Sequence, residues 1–233
     1  MKASIRIPFF EIGIKNYVYG DKVMEMAKAA EEASVKYDID VLFISPYTEI
    51  RRVAENCRRL IVIAPYMDTL RPGRGMADVL PEAIKAAGAK GVVINHCERP
   101  MSLSAIKQTI DRANELELIS FACSDSISEA RAIAQLHPDI INPEPTELIG
   151  SGKTSGMDFV EGTIEAIKSV YPDIIVEQAA GISASQQVYD LIFAGADGVG
   201  MASGIFKAPD PIKMLDEAVA KVREAVNSRK NQV

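Results

Sequence analysis

Cysteine is scarce and shows no pairing pattern. The 233 residues hold three, Cys57, Cys97 and Cys123, with no CxxC spacing. An odd, scattered set is no disulfide framework, and a reducing cytoplasm is the expected compartment. Long hydrophobic runs are also missing. No stretch of about 18 uncharged apolar residues occurs, which excludes a membrane-spanning helix. The opening MKASIRIPFFEIGIK has neither a long apolar core nor a cleavage site, so no signal peptide is expected. Basic charge is in deficit: Lys plus Arg is 26 against 32 Asp plus Glu, a net charge of −6. A general nucleic-acid binder needs a basic face, so that class is excluded. A small anionic substrate stays open, because backbone N–H groups bind phosphate without net positive charge. There are only two histidines. His96 and Glu98 form an HxE pair, but no PCxxC follows and no second ligand pair has metal spacing, so no metal is expected.

What is present is ordinary for a globular chain: 48% apolar and 25% charged residues. One rhythm repeats from end to end, a short β-type run, a turn, then a longer stretch with helical apolar spacing. The β-type runs are Ser4–Phe10, Asp40–Ser45, Leu60–Ala64, Gly91–Asn95, Leu118–Cys123, Asp139–Asn142, Asp173–Gln178 and Asp197–Met201. Most are nearly continuous apolar runs, as strands of a parallel sheet buried on both faces should be. The expected helices are Asp21–Tyr37, Thr48–Cys57, Ala77–Ala87, Ser102–Glu117, Ser126–Leu136, Gly156–Tyr171, Ser185–Ala194 and Pro211–Asn227. Ser102 suits an N-cap, and Asp210-Pro211 suits a cap followed by a first-turn proline. Gly88 and Gly195 suit left-handed helix stops.

Eight such units over this length predict an α/β fold, a single (β/α)8 TIM barrel spanning residues 1–233. An open doubly wound sheet is disfavoured, because the first unit has no GxGxxG turn. No linker or low-complexity tract divides the chain. The polar tail Ser228–Val233 is expected to fray.

In such a barrel the site lies at the C-terminal ends of the strands. Polar residues there are therefore candidates, and polar residues on helices are presumed solvated. The rule selects Glu11, Gly13, Lys15 and Asn16 after strand one, and Asn95, His96, Glu98 and Arg99 after strand four. Strand five ends at Cys123-Ser124-Asp125, and strand six at Asn142-Pro143-Glu144-Pro145. His96 sits where a general acid or electrophile belongs, whereas His137 before Pro138 is expected only to meet helix carbonyls. Glu144 is stiffened by its two flanking prolines and suits a partly desolvated base. Thr146–Thr154, TELIGSGKT, is not a Walker A motif, because Glu147 stands where the first glycine would be. It reads instead as a mobile loop able to close over a site. The small residues of Gly181–Ser183 and Gly200–Gly204 allow close backbone approach to an anion, at the two loops where barrels often hold phosphate. Cys123 reads as a small buried residue rather than a nucleophile.

Taken in order, these residues resemble the triosephosphate isomerase family. Glu144-Pro145 and then Ile149-Gly150-Ser151-Gly152-Lys153-Thr154 match its catalytic Glu-Pro and its I-G-T-G-K-T loop end. His96-Cys97-Glu98-Arg99 matches H-S-E-R, and Lys15 matches the lysine of N-x-K. Cys123 and the loops AAGIS and GVGMASG are similar to the compact, short-chain branch. The resemblance implies a cofactor-free aldose–ketose isomerase acting through an enediolate. It implies Glu144 as base, neutral His96 as electrophile and proton shuttle, and Lys15 as oxyanion stabiliser. Glu98 would orient Lys15, and Cys123 would lie behind the site. Gly150, Gly181, Ser183, Gly200, Met201, Ala202 and Ser203 would line the phosphate seat. It further implies a phosphorylated sugar as substrate, no nucleic-acid or membrane partner, a homo-oligomer (dimer or tetramer) and a place in glycolysis and gluconeogenesis.

Three departures stand out. Gly13 replaces the family's strand-one Asn, which contacts substrate. Cys97 replaces the Ser of H-S-E-R. The third βα loop, PYMDTLRPGRGMADVLPE, lacks the usual Q-N or Q-H and the later T-G-E. They raise an alternative of the same mechanism, an isomerase of a tetrulose phosphate such as erythrulose phosphate. Two further classes are a non-catalytic phosphate-binding barrel and a Schiff-base aldolase. The joint presence of Lys15, His96 and Glu144 argues against the first, and the lack of a lysine in strands five to seven argues against the second.

Overall fold

The computed structural model describes residues 2–230. The strands β1 (Phe9–Gly13), β2 (Val41–Ile44), β3 (Ile61–Ala64), β4 (Gly91–Ile94), β5 (Ile119–Ser124), β6 (Ile140–Pro143), β7 (Ile175–Gln178) and β8 (Gly198–Met201) close into one parallel barrel in sequence order. Around them run α1 (Asp21–Tyr37), α2 (Ile50–Asn56), α3 (Pro81–Ala86), α4 (Leu103–Glu115), α5 (Ile127–Ala134), α6 (Met157–Lys168), α7 (Ser185–Phe193), α8 (Ser203–Phe206) and α9 (Pro211–Lys230). The fold is the expected (β/α)8 barrel. Among the described residues, no helix is long and apolar enough to cross a membrane.

Side chains alternate across each strand, so each strand serves two cores. Phe9, Leu42, Ile63, Val93, Ile119, Phe121, Cys123 and Ile140 fill the inside of the barrel. Phe10, Ile12, Val41, Phe43, Val92 and Ile94 face outward into the larger core shared with the helices. This double burial is the physical reason the strands read as continuous apolar runs.

The helix ends obey their local signals. Ser102 Oγ accepts from the Ala105 N–H at 3.2 Å, and Asp210 Oδ1 accepts from the Lys213 N–H at 3.0 Å. Gly88 and Gly195 take positive φ of 107° and 122° at the stops after α3 and α7.

The largest correction concerns strand one, which runs Phe9–Gly13 rather than Ser4–Phe10. Pro8 has no N–H for a ladder, so pairing begins only after it. The shift moves Glu11 from a loop into the strand interior, opposite Leu42 on β2 and Gly200 on β8. Helix three also starts later than expected, at Pro81 instead of Ala77, because proline sets the first turn. The residues just before it fold back instead, with the Val79 N–H donating to Asp68 Oδ2 at 2.7 Å. The expected helix Thr48–Cys57 opens as a 3-10 turn, Tyr47–Glu49, before α2. Helix α8, four residues long, is too short to show a period in the sequence. The expected fraying of Ser228–Val233 is not seen at 228–230, which complete α9; residues 231–233 lie outside the described residues.

Candidate active site

Strand ends and loops enclose a cavity of about 530 Å³ at the C-terminal mouth of the barrel. Lys15, His96 and Glu144 all line it, from three different loops.

Glu144 follows β6 between two prolines, and its N–H donates to the Ser124 carbonyl at 2.7 Å. Two neighbours hold the carboxyl in place: the Ala180 N–H donates to Oε1 at 3.2 Å, and His96 Nε2 lies 3.8 Å from Oε2. Burial pushes the Glu144 carboxyl above its ordinary pKa, and Lys15 and the Ala180 N–H offset this in part.

His96 follows the left-handed Asn95, whose φ is 61°. Asn95 ties this corner down, its Nδ2 donating to the Cys123 carbonyl at 3.1 Å and its Oδ1 accepting from Met101 N–H at 2.8 Å. The Glu98 N–H donates to His96 Nδ1 at 3.2 Å. Nδ1 is therefore the lone-pair nitrogen, and the proton of the neutral ring sits on Nε2, facing Glu144. Burial, reinforced by the Lys15 charge, lowers the imidazole pKa to about 4. The ring is uncharged at neutral pH.

Lys15 adopts φ 46°, in the tight turn leaving β1. Its Nζ donates to Glu98 Oε1 at 3.3 Å. Burial disfavours the ammonium, but Glu144 and Glu98 outweigh it, and the pKa ends above its ordinary value. The lysine is charged and partly sheltered, while Glu98 is largely exposed.

The loop after Glu144 begins as a 3-10 turn, Thr146–Leu148. Its far end is already seated on the loop after β7. Ser183 Oγ donates to the Gly152 carbonyl at 3.3 Å, and the Gly181 Cα lies against the Lys153 carbonyl so closely that a Cβ would overlap it. Gly181 also has φ 69°, so both space and backbone demand glycine there.

Of the expected phosphate-seat residues, Gly150, Gly181, Gly200, Met201, Ala202 and Ser203 line the cavity. Ser183 is placed differently: its hydroxyl goes to Gly152 and its N–H donates to Gln187 Oε1 at 2.8 Å. Gly200 lies within β8, at the cavity floor. Cys123 lines the cavity from below, and burial first, then the Glu144 charge, pushes its thiol well up. Among the described residues, no group of three or more His, Cys, Asp or Glu gathers to hold a metal ion.

A family model described as triosephosphate isomerase matches residues 9–218. The triosephosphate isomerase of Methanothermus fervidus is 34% identical over 220 residues, covering 92% of this chain and 99% of that protein. That of Methanocaldococcus jannaschii is 36% identical over 210 residues, covering 89% and 94%. That of Sulfurisphaera tokodaii is 34% identical over 227 residues, covering 96% and 99%. The chain belongs to the triosephosphate isomerase family. It is an isomerase of the triosephosphate isomerase type.

Two further buried carboxyl groups stand near the site: Glu11, a candidate from its place near the end of strand one, and Glu177, which the apolar run DIIVEQ hides. Both point into the barrel. The signal was available: an acidic side chain on the inward parity of a buried strand needs a reason to be there.

Proposed function

We propose that this chain interconverts glyceraldehyde 3-phosphate and dihydroxyacetone phosphate, by proton transfer through an enediolate. The observation that carries this reading is the convergence of a desolvated carboxylate, a neutral imidazole and a sheltered ammonium on one cavity. Abstraction of a proton next to a carbonyl needs a base and an electrophile, and no cofactor.

Glu144 removes the proton from the carbon beside the carbonyl and returns it to the neighbouring carbon. His96 donates its Nε2 proton to the carbonyl oxygen and takes a proton back from the hydroxyl on the neighbouring carbon, so the ring ends as it began and the second oxygen becomes the new carbonyl. Lys15 places positive charge beside the developing oxyanion. Glu98 holds the lysine through the 3.3 Å hydrogen bond. Gly150, Gly181, Gly200, Met201, Ala202 and Ser203 form the phosphate side of the cavity. Ser183 supports that side through the closing loop, and Cys123 fills space behind the base. Closure of Thr146–Thr154 excludes water, which protects the enediolate from losing phosphate.

The chain acts as one domain over residues 1–233, in glycolysis and gluconeogenesis. Its free thiols at Cys57, Cys97 and Cys123 support a reducing, cytoplasmic setting. A homo-oligomer, dimer or tetramer, is the expected assembly.

The test is a coupled assay on the two triose phosphates, run beside erythrulose phosphates, with Glu144→Gln as control. Triose turnover abolished in the variant supports the reading. Poor triose turnover beside good tetrulose phosphate turnover moves the substrate, and no turnover of either overturns the isomerase.

A further inference from the structure

Below Glu144, the inside of the barrel holds two carboxyl groups that the reaction above does not use. Glu11 is 6% exposed and Glu177 is 0% exposed. Glu11 Oε1 and both oxygens of Glu177 have no hydrogen-bond partner among the described residues. The space they occupy is made by glycine. A Cβ on Gly200 would overlap Glu11 Oε2 and come within 2.9 Å of Glu177 Oε1. A Cβ on Gly13 would stand 3.2 Å from Glu11 Oε1. Glu11 therefore reaches up through a gap that two missing side chains leave open, and it lines the same cavity as Lys15, His96 and Glu144.

Two facing carboxylates in a dry interior cannot both stay ionised. The charged and titratable groups around them are Glu144 on the β6 side, Cys123 on β5 and Lys15 after β1. Among the described residues, Lys15 is the cation that acts on Glu11, and its hydrogen bond goes to Glu98. Burial and the Glu144 charge push the Glu11 carboxyl well above its ordinary range, and burial and Glu11 do the same to Glu177. A carboxyl pushed this way takes up a proton more readily, and a protonated carboxyl offers an O–H donor as well as an acceptor. A second buried residue lines the same cavity: Asn142 is 4% exposed, and its Oδ1 has no partner among the described residues. Unsatisfied buried polar groups on a cavity floor are expensive unless something polar fills the cavity.

We propose that Glu11, set beside Glu177 across the gap at Gly200, is a further substrate-binding residue of this isomerase and hydrogen-bonds a substrate oxygen at the cavity floor. The proposal rests on the isomerase reading and adds a contact that the catalytic trio does not supply.

Kinetics and stability of Glu11→Gln and Glu11→Leu test this together. Gln keeps an N–H donor of similar length, whereas Leu fills the volume without one. Expected are a Gln variant within about three-fold of wild-type kcat/KM and a Leu variant lower by about ten-fold or more. The Leu variant is expected to melt no lower than wild type, because an apolar group replaces a partnerless buried acid. A fully active Leu variant overturns the contact, and so does a Gln variant as impaired as Leu. If wild type turns over triose phosphate and Glu144→Gln does not, such a result removes this contact and leaves the isomerase intact. An inactive wild type removes both.

Discussion

His96 Nε2 stands 3.8 Å from Glu144 Oε2, with the imidazole uncharged and the carboxyl above its ordinary pKa. The two groups that the proposed proton transfer would use as acid and base thus stand side by side at the cavity. Burial lies behind both shifts, and it moves them in the useful directions: it disfavours the carboxylate, making it more basic, and disfavours the imidazolium, keeping the ring a neutral donor.

Glu144→Gln keeps shape and loses the base. Its kcat is expected to fall roughly 10²- to 10⁴-fold with little change in KM. Steady-state kinetics in both directions checks this, and a variant within ten-fold of wild type would place the base elsewhere.

The pH dependence of stability has a defined sign at His96. Its folded pKa is about 4 against 6.5 for the free side chain. The unfolded chain therefore binds more protons between those values, and the neutral ring contributes stability that is full above pH 6.5 and is lost as pH falls toward 4. Thermal melting of wild type and His96→Gln over that range checks the contribution: the gap between the curves should change as pH falls, and parallel curves would refute it.

Glu177 gives the opposite sign. Its folded pKa is raised by burial, then by Glu11 and Glu144. The folded chain then holds the extra proton, so this group's contribution is full below the free carboxylate value and declines as pH rises toward the folded one. Glu177→Leu is expected to raise the melting temperature at pH 8 more than at pH 5. A larger gain at pH 5 would show that the carboxyl is ionised in the fold.

Lys15→Met removes the sheltered ammonium. A loss of about 10²-fold or more in kcat/KM is expected for a group stabilising developing charge. Glu98→Gln, by contrast, loosens a hydrogen bond whose acceptor is largely exposed, and a change of only a few-fold is expected. Equal losses in the two variants would mean that Glu98 itself meets the substrate.

Gly181→Ala tests the seat of the closing loop. The new Cβ collides with the Lys153 carbonyl, and φ 69° disfavours any L side chain by about 1 kcal/mol or more. A lower kcat together with faster proteolysis within 146–154 is expected. Unchanged kinetics would show that the loop closes without this contact.

The barrel was legible in the sequence, for a physical reason. A strand buried on both faces must be apolar throughout, so eight such runs alternating with helical periods leave a short list of architectures. In that architecture strand ends mark where a site belongs, which places Lys15, His96 and Glu144 on a longer list of polar candidates; their roles come only from the family resemblance. Local signals sufficed for Ser102, Asp210, Gly88 and Gly195, because caps and stops depend on neighbouring backbone alone. Strand one was harder: IRIPFFEIG is apolar before and after Pro8, and only pairing with β2 and β8 fixed where the ladder begins.

Other properties belonged to tertiary structure alone. The Nε2 tautomer of His96 depends on where the Glu98 N–H points. Ser183 turned out to hold the closing loop because the Gly152 carbonyl arrives beside it from 31 residues away. The inward pairing of Glu11 with Glu177 arises because barrel closure brings β1 and β7 to either side of Gly200 on β8. Residue types and local spacing determine the elements, their order and the chemistry the strand ends can offer. Distances between side chains from distant strands, and the burial that sets their protonation, exist only once the barrel is closed.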